Sequence, residues 1–367
     1  MNSNKYKPDW TPKNAGQEFA VNVVKATTST GIRKPNEKNK IVQPTVEEFA
    51  EGVLKGDTNF LARCITLIES NSPKHHQKAA EVLDKLLPHA GNSIRLGISG
   101  VPGAGKSTLI EALGIYLIKQ GHKVAVLTVD PSSSVSKGSI LGDKTRMENL
   151  SREKNCFIRP SPSGGNLGGV TRKTRETITA CEAAGFDVII IETVGVGQSE
   201  ITVRTMVDFF LLIMIAGAGD ELQGIKKGII EISDALVFNK ADGSNLQRAK
   251  IARAEFANAI HYLQPYIKGW TPKVLTSSAL ENKGIDKIWE MILEFVEFTK
   301  KENIFEKQRK GQALEWMHSL IKESIINQFY SNPDVSKEIS AIEKALTSDE
   351  IRATSAAELL LNKYFKK

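Results

Sequence analysis

An α/β fold, a mostly parallel sheet with helices on its faces, is predicted by three features of this sequence. Runs of strand length recur at 94–98, where Ile94, Leu96 and Ile98 alternate with other residues, and at 123–129, 186–192, 209–215, 235–239 and 273–276, where continuous hydrophobicity suits strands buried on both faces. The segments between them are helical in period or rich in glycine, the alternation expected of a parallel sheet. Between the first run and the helical spacing of Leu109, Ile110, Leu113, Tyr116 and Leu117 lies a glycine-rich turn, Gly97-Ile98-Ser99-Gly100-Val101-Pro102-Gly103-Ala104-Gly105-Lys106-Ser107.

Residues 1–43 are polar, include Pro8, Pro12 and Pro35, and hold no sustained apolar period, so a loosely ordered arm is expected there. A helical region follows. Thr45 and Glu48 match a capping box, and Val53, Leu54, Phe60, Leu61, Ile65, Leu67 and Ile68 recur at helical spacing. Residues 88–92 punctuate the entry to the first strand.

Gly100, Gly105, Lys106 and Ser107 fit G-x-x-x-x-G-K-[ST] in its required setting, after a strand and before a helix. Such a loop wraps a polyphosphate in backbone N–H groups, its lysine meets the β/γ-phosphates and its hydroxyl meets Mg²⁺. Nucleotide contacts are therefore expected from Gly100, Val101, Pro102, Gly103, Ala104, Gly105, Lys106, Ser107 and Thr108, with Lys106 catalytic.

In an open α/β sheet the ligand sits at the carboxyl ends of the strands, and the residues there are informative. Asp130 follows the second run and Asp143 lies in the loop beyond it; each is read either as a carboxylate holding Mg²⁺ through water or as a turn former. Glu192 ends the next run in Glu192-Thr193-Val194-Gly195-Val196-Gly197-Gln198-Ser199-Glu200 and takes the Walker-B role of holding Mg²⁺. Residues 216–228 contain Gly217, Gly219, Gln223, Gly224 and Lys226, a solvated turn or a mobile element. Asn239-Lys240-Ala241-Asp242 closes the following run, and Ser277, Ser278, Ala279 and Leu280 follow the last. The Asp242 carboxylate can accept two hydrogen bonds from guanine N1 and its exocyclic amine, a pattern adenine does not offer. Asn239 can brace the loop, and the Ala279 amide can reach guanine O6.

Beyond the sheet, Ile285, Ile288, Trp289, Ile292, Phe295 and Val296 form one apolar stripe. Leu314, Met317, Leu320, Ile321, Ile325 and Phe329 form another, and the charged segment 300–310 separates them. Both stripes need a partner surface, either this chain's own sheet or a second copy.

Composition narrows the class further. The formal charge is +7, yet the lysines gather near the termini with no basic stripe interleaved with aromatics, so nucleic acid is not expected as a partner. The apolar run at 209–216 is far short of the roughly 20 residues that span a bilayer, so no membrane role is expected. Cys64, Cys156 and Cys181 lack C-x-x-C spacing, which fits a reducing compartment. The amino terminus lacks a signal-peptide core, and a cytoplasmic location is expected.

The stretches 97–109, 126–147, 158–176, 185–200, 217–231 and 239–243 closely resemble the G-protein chaperones of coenzyme-B12-dependent acyl-CoA mutases, the MeaB/MMAA family, whose relatives include proteins once labelled ArgK or LAO/AO transport ATPases. Gly-Ser-Ile-Leu-Gly-Asp-Lys-Thr-Arg-Met and Glu-Thr-Val-Gly-Val-Gly-Gln-Ser-Glu are far more specific than the phosphate loop. Lys137 is one departure, since glycine is expected there.

The resemblance implies a homodimeric GTPase of the SIMIBI class using GTP/GDP and Mg²⁺. It implies an arm and helical extension over 1–92, a P-loop G domain over 93–283 and a helical dimerisation region over 284–367. GTP hydrolysis would gate adenosylcobalamin delivery to a methylmalonyl-CoA-mutase-type enzyme and protect it, with a cobalamin adenosyltransferase as a further partner. It also marks 216–228 as a switch, with Gln223 and Lys226 catalytic when a partner holds the loop over the phosphates. The competing reading is a small-molecule kinase or transport-associated ATPase on the same loop, against which the guanine reader Asn239–Asp242 argues. A metal-insertion GTPase would want a cluster of His and Cys ligands, and the histidines here are scattered.

Overall fold

Strands β1 (Ile94–Gly100), β2 (Val124–Val129), β3 (Cys156–Pro160), β4 (Val188–Thr193), β5 (Phe209–Ile215), β6 (Ala235–Asn239) and β7 (Lys273–Thr276) form one sheet. Their order is β3-β2-β4-β1-β5-β6-β7, and every pairing is parallel. The computed structural model describes residues 44–129, 147–160, 167–193, 199–217 and 227–365. The expected arm over 1–43, Lys137 and the readings placed on Asp130, Asp143, Gln223 and Lys226 lie outside the described residues.

The central strands are largely apolar along both faces because helices cover both. Along β5, Phe209, Leu211 and Ile213 point to one face, where α4 (Lys106–Lys119) brings Leu109, Ile110 and Leu113 and α10 (Ile285–Lys301) brings Ile288, Ile292 and Phe295. Phe210, Leu212 and Met214 point to the other face, toward α1 (Val46–Leu54), α2 (Thr58–Glu69), α3 (Pro73–Leu86), α6 (Leu167–Ala183) and α9 (Leu246–Ile260). The expected helical region after residue 45 divides into those first three helices. Thr45 and Glu48 form the reciprocal capping box, Gly56 turns the chain at φ +74°, and Asp57 caps α2. The remaining helices of the fold are α5 (Glu148–Ser151), α7 (Ser199–Arg204), α8 (Lys227–Glu231), α11 (Ile304–Ser331), α12 (Pro333–Thr347) and α13 (Ala353–Phe365).

Strand β3 was not among the expected runs. It is short, sits at the sheet edge and carries Arg159 and Pro160, so hydrophobicity alone does not mark it.

The two carboxy-terminal stripes have different fates. Ile285, Ile288, Trp289, Ile292, Phe295 and Val296 are buried against this chain's own sheet. On α11, by contrast, Leu314, Met317, Ile321 and Ile325 are 59%, 45%, 48% and 55% exposed. The charged segment between the stripes ends α10 at Lys301, turns through Glu302 and Asn303, and begins α11 at Ile304.

At the amino ends of the strands lies a network of buried charges. Arg95 makes a forked pair with Glu182 at 2.8 and 2.9 Å, and Glu182 also accepts from Ser93 Oγ and the Gly91 amide. Asp208 accepts from the Arg95 amide at 2.8 Å and from Arg309 Nε and Nη2 at 2.7 and 2.6 Å. Arg204 meets Asp234 at 2.9 and 3.0 Å. Burial alone would raise Glu182, but the bonds from Arg95, Ser93 and Gly91 hold its carboxyl below the usual range. For Asp234, burial prevails over Arg204 and the Phe210 amide and pushes the carboxyl up to about 6.

Candidate functional site

At the opposite, carboxyl ends of the same strands, β1 runs into the loop that precedes α4. Only glycine fits at two of its corners. A Cβ at Gly100 would lie 2.2 Å from Ile213 O, and one at Gly105, where φ is +81°, would lie 2.7 Å from Asn239 Nδ2. At Gly103 the space where a Cβ would stand is open, and there it is the backbone, at φ +78°, that favours glycine. Gly105 begins α4 with no side-chain cap, which leaves the first amides of the helix directed at a site suited to an anion. Lys106 Nζ reaches back to Gly100 O at 2.9 Å and Val101 O at 3.3 Å, which places its charge inside the loop. These features fit a polyphosphate.

Glu192, second to last in β4, is 5% exposed and accepts from Ser107 Oγ at 3.2 Å. A hydroxyl and a buried carboxylate at this separation are the hard oxygen donors that Mg²⁺ prefers, and the ion keeps several waters of its own. The donor set therefore fits Mg²⁺. Beside it, Thr193 Oγ1 donates to Ser99 Oγ at 2.9 Å and ties β4 to β1 just below the loop.

The ends of β6 and β7 build the second half of the site. Asn239, 1% exposed, donates from Nδ2 to Ala104 O at 2.9 Å and accepts from Ser277 Oγ at 3.2 Å. The Ala279 amide, expected to face guanine O6, donates to Asn239 Oδ1 at 3.3 Å. Ser278 is 1% exposed and its hydroxyl donates to Asp242 Oδ2, so it orients that carboxylate. Lys240 sits in the left-handed region at φ 57°. Gly105, Thr108, Asn239, Lys240, Asp242, Ala279 and Leu280 line a cleft of about 240 Å³.

The structure thus brings 100–108, Glu192, Asn239–Asp242 and Ser278–Leu280 to one end of the sheet. Sequence reasoning missed the Ser99–Thr193 brace and the bond from Ser277 to Asn239. Polar residues at the tips of otherwise apolar strands were the available signal. Among the described residues no group of three or more His, Cys, Asp or Glu side chains is placed to hold a metal, and no helix is long and apolar enough to cross a membrane.

Residues 61–334 match the profile of the family described as Methylmalonyl Co-A mutase-associated GTPase MeaB. A probable GTPase of Mycobacterium tuberculosis is 48% identical over 317 residues, covering 86% of this chain and 94% of that one. GTPase ArgK of Escherichia coli is 44% identical over 329 residues, covering 89% and 99% respectively. Among solved structures, one described as an LAO/AO transport system kinase superposes with a TM-score of 0.70 at 38% identity, covering 86% of this chain and 96% of that one.

Proposed function

The chain belongs to the MeaB family of mutase-associated GTPases, and from that premise we propose that its GTP hydrolysis gates adenosylcobalamin delivery to a B12-dependent acyl-CoA mutase of the methylmalonyl-CoA type and protects that enzyme. Nucleotide binding and GTP hydrolysis go with the family; the client and the residue roles are our reading. The bond from Asn239 Nδ2 to Ala104 O carries the residue roles, because it joins the guanine-reading segment to the phosphate loop in one site, and the family match supports the client.

In this reading Asp242 selects guanine, held in orientation by Ser278, and Asn239 fixes the loop against the base cleft. Lys106 offsets charge that develops on the β/γ-phosphate oxygens during transfer to water. Ser107 and Glu192 hold Mg²⁺, with Asp130 and Asp143 as further carboxylates. Mg²⁺ when bound supplies charge neutralisation on the phosphates. Gln223 and Lys226 act when the mutase is present. The exposed apolar face of α11 supports a homodimer built on 284–367, with 93–283 as the G domain and 1–92 as its extension. We place the protein in the cytoplasm, with a cobalamin adenosyltransferase as a second partner.

The test is GTP turnover of the full chain with and without an adenosylcobalamin-dependent methylmalonyl-CoA mutase. Turnover is expected to rise with the mutase and to fall about 100- to 1,000-fold in Lys106→Ala, the loss typical of removing one donor to transition-state charge. Turnover indifferent to the mutase would remove the proposed client, and normal turnover in Lys106→Ala would remove the loop assignment.

A further inference from the structure

The segment between α7 and β5, residues 205–208, is gripped from two sides. From α11, Gln308 Nε2 and Gln312 Nε2 donate to Val207 O at 3.1 and 2.8 Å, and Arg309 forks onto Asp208. From α6, Arg175 donates to Thr205 O and, at 2.9 Å, to Thr205 Oγ1. Its guanidinium stacks on Trp316 of α11 at 5.2 Å and touches Gln312 O at 3.4 Å. The same segment lies flush on the strand that delivers the phosphate loop. A Cβ at Gly97 of β1 would meet Phe210 Cδ2 of β5 at 2.8 Å, Val207 Cγ2 at 3.0 Å and Val203 Cγ1 of α7 at 3.1 Å, so the glycine lets the segment and its two flanking elements seat there.

This grip is incompletely satisfied. Among the described residues the buried side-chain polar atoms without a hydrogen-bond partner are Arg175 Nε, Arg204 Nε and Gln312 Oε1, and all three belong to side chains around this one segment. Buried polar groups are otherwise almost always paired. Arg175 Nε is a donor and Gln312 Oε1 an acceptor, and the Arg175 guanidinium already meets the Gln312 backbone carbonyl. An unpaired donor and an unpaired acceptor on the two sides of one contact leave it a second arrangement, one in which α11 is shifted against α6 and the two atoms pair.

We propose that the contact of residues 205–208 with Arg175 and Gln312 is a two-position joint through which the nucleotide site, by way of β1, sets the position of α11. Resting on the GTPase reading above, it supplies the regulation of that site. A ligand shifts such a joint only through different contacts with its two arrangements, and the coupling is reciprocal. Anything seated on the exposed face of α11 therefore alters nucleotide affinity in turn.

The test is amide hydrogen exchange on the full chain with GDP or guanosine 5′-(β,γ-imido)triphosphate, binding of each being measured by calorimetry on the same samples. Exchange within 308–317 is expected to differ about fivefold or more between the two states, the lower end of ordinary coupling. Gln312→Leu should erase that difference while leaving GDP affinity within about twofold, since the residue touches no part of the site. Identical exchange in the wild type, or a difference that survives in Gln312→Leu, would overturn the joint; a merely structural Gln312 would lower the melting temperature and leave the difference intact. If Gln312→Leu does not fold, Arg175→Lys, which removes Nε and the fork but keeps the charge, is read the same way. Failure of either nucleotide to bind would overturn the GTPase reading itself, and the joint with it.

Discussion

At the amino ends of the strands, charges are buried against one another: Arg95 on Glu182, Arg309 on Asp208, Arg204 on Asp234. At the carboxyl ends of the same strands, the chain instead turns through glycines, leaves α4 without a side-chain cap and places Lys106 on two backbone carbonyls. One end spends its electrostatics internally, and the other keeps donors and a cation arranged for a ligand. Evolution selects the first kind of site for stability and the second for function, and functional sites commonly sacrifice stability. A substitution should therefore report, by which property it changes, the end of the sheet on which it falls.

The largest effect is expected where one partner of a buried pair is removed. Arg95→Met strands Glu182, whose side chain is 1% exposed, and should cost about 3–5 kcal/mol in urea unfolding, the usual penalty for an uncompensated buried charge. A loss below about 1 kcal/mol would mean that the amino-end network is as dispensable as surface ion pairs.

Asp242→Asn should do the reverse. The Asn side chain can still accept from Ser278 Oγ, so unfolding free energy should stay within about 0.5 kcal/mol. Loss of the bidentate guanine contact should weaken GTP by about 2–3 kcal/mol, roughly 30- to 150-fold, and improve xanthosine triphosphate, whose two-position carbonyl can accept from the new amide. Calorimetry with both nucleotides measures this, and unaltered GTP affinity would exclude Asp242 as the guanine reader.

The smallest effect is a change of slope with pH. The Glu182 carboxyl titrates below its ordinary 4.5 in the folded chain, so the stability it contributes is fully present above that value and is lost as pH falls through the lowered one. Melting temperatures of the wild type and Glu182→Gln should differ by a constant amount near neutrality and converge in acid. Divergence in acid would reverse the sign of the shift.

The carboxyl end was far more legible in the sequence than the amino end. Loop residues, Glu192 and Asn239–Asp242 are local strings at the ends of apolar runs, and the runs at 209–215, 235–239 and 273–276 coincide with β5, β6 and β7. The amino-end pairs join residues far apart in the chain, such as Arg95 with Glu182 and Asp208 with Arg309, and no local pattern distinguishes a charge that will be buried from one that will be solvated. Arg309 illustrates this: within 300–310 it reads as part of a charged spacer, yet its side chain is 11% exposed. The divergence of the two apolar stripes was equally invisible, because helical period gives the face but not what covers it.

Trp316 gives the molecule an optical property. Trp270 and Trp289 are buried in the core at 6% and 5% exposure, so their emission follows global unfolding. Trp316 lies half-buried under the Arg175 guanidinium, a cation whose approach or withdrawal alters the excited state of an indole. Intrinsic fluorescence of this one ring, isolated by replacing the other tryptophans with phenylalanine, therefore offers a label-free, millisecond record of what α11 does as nucleotide is mixed in.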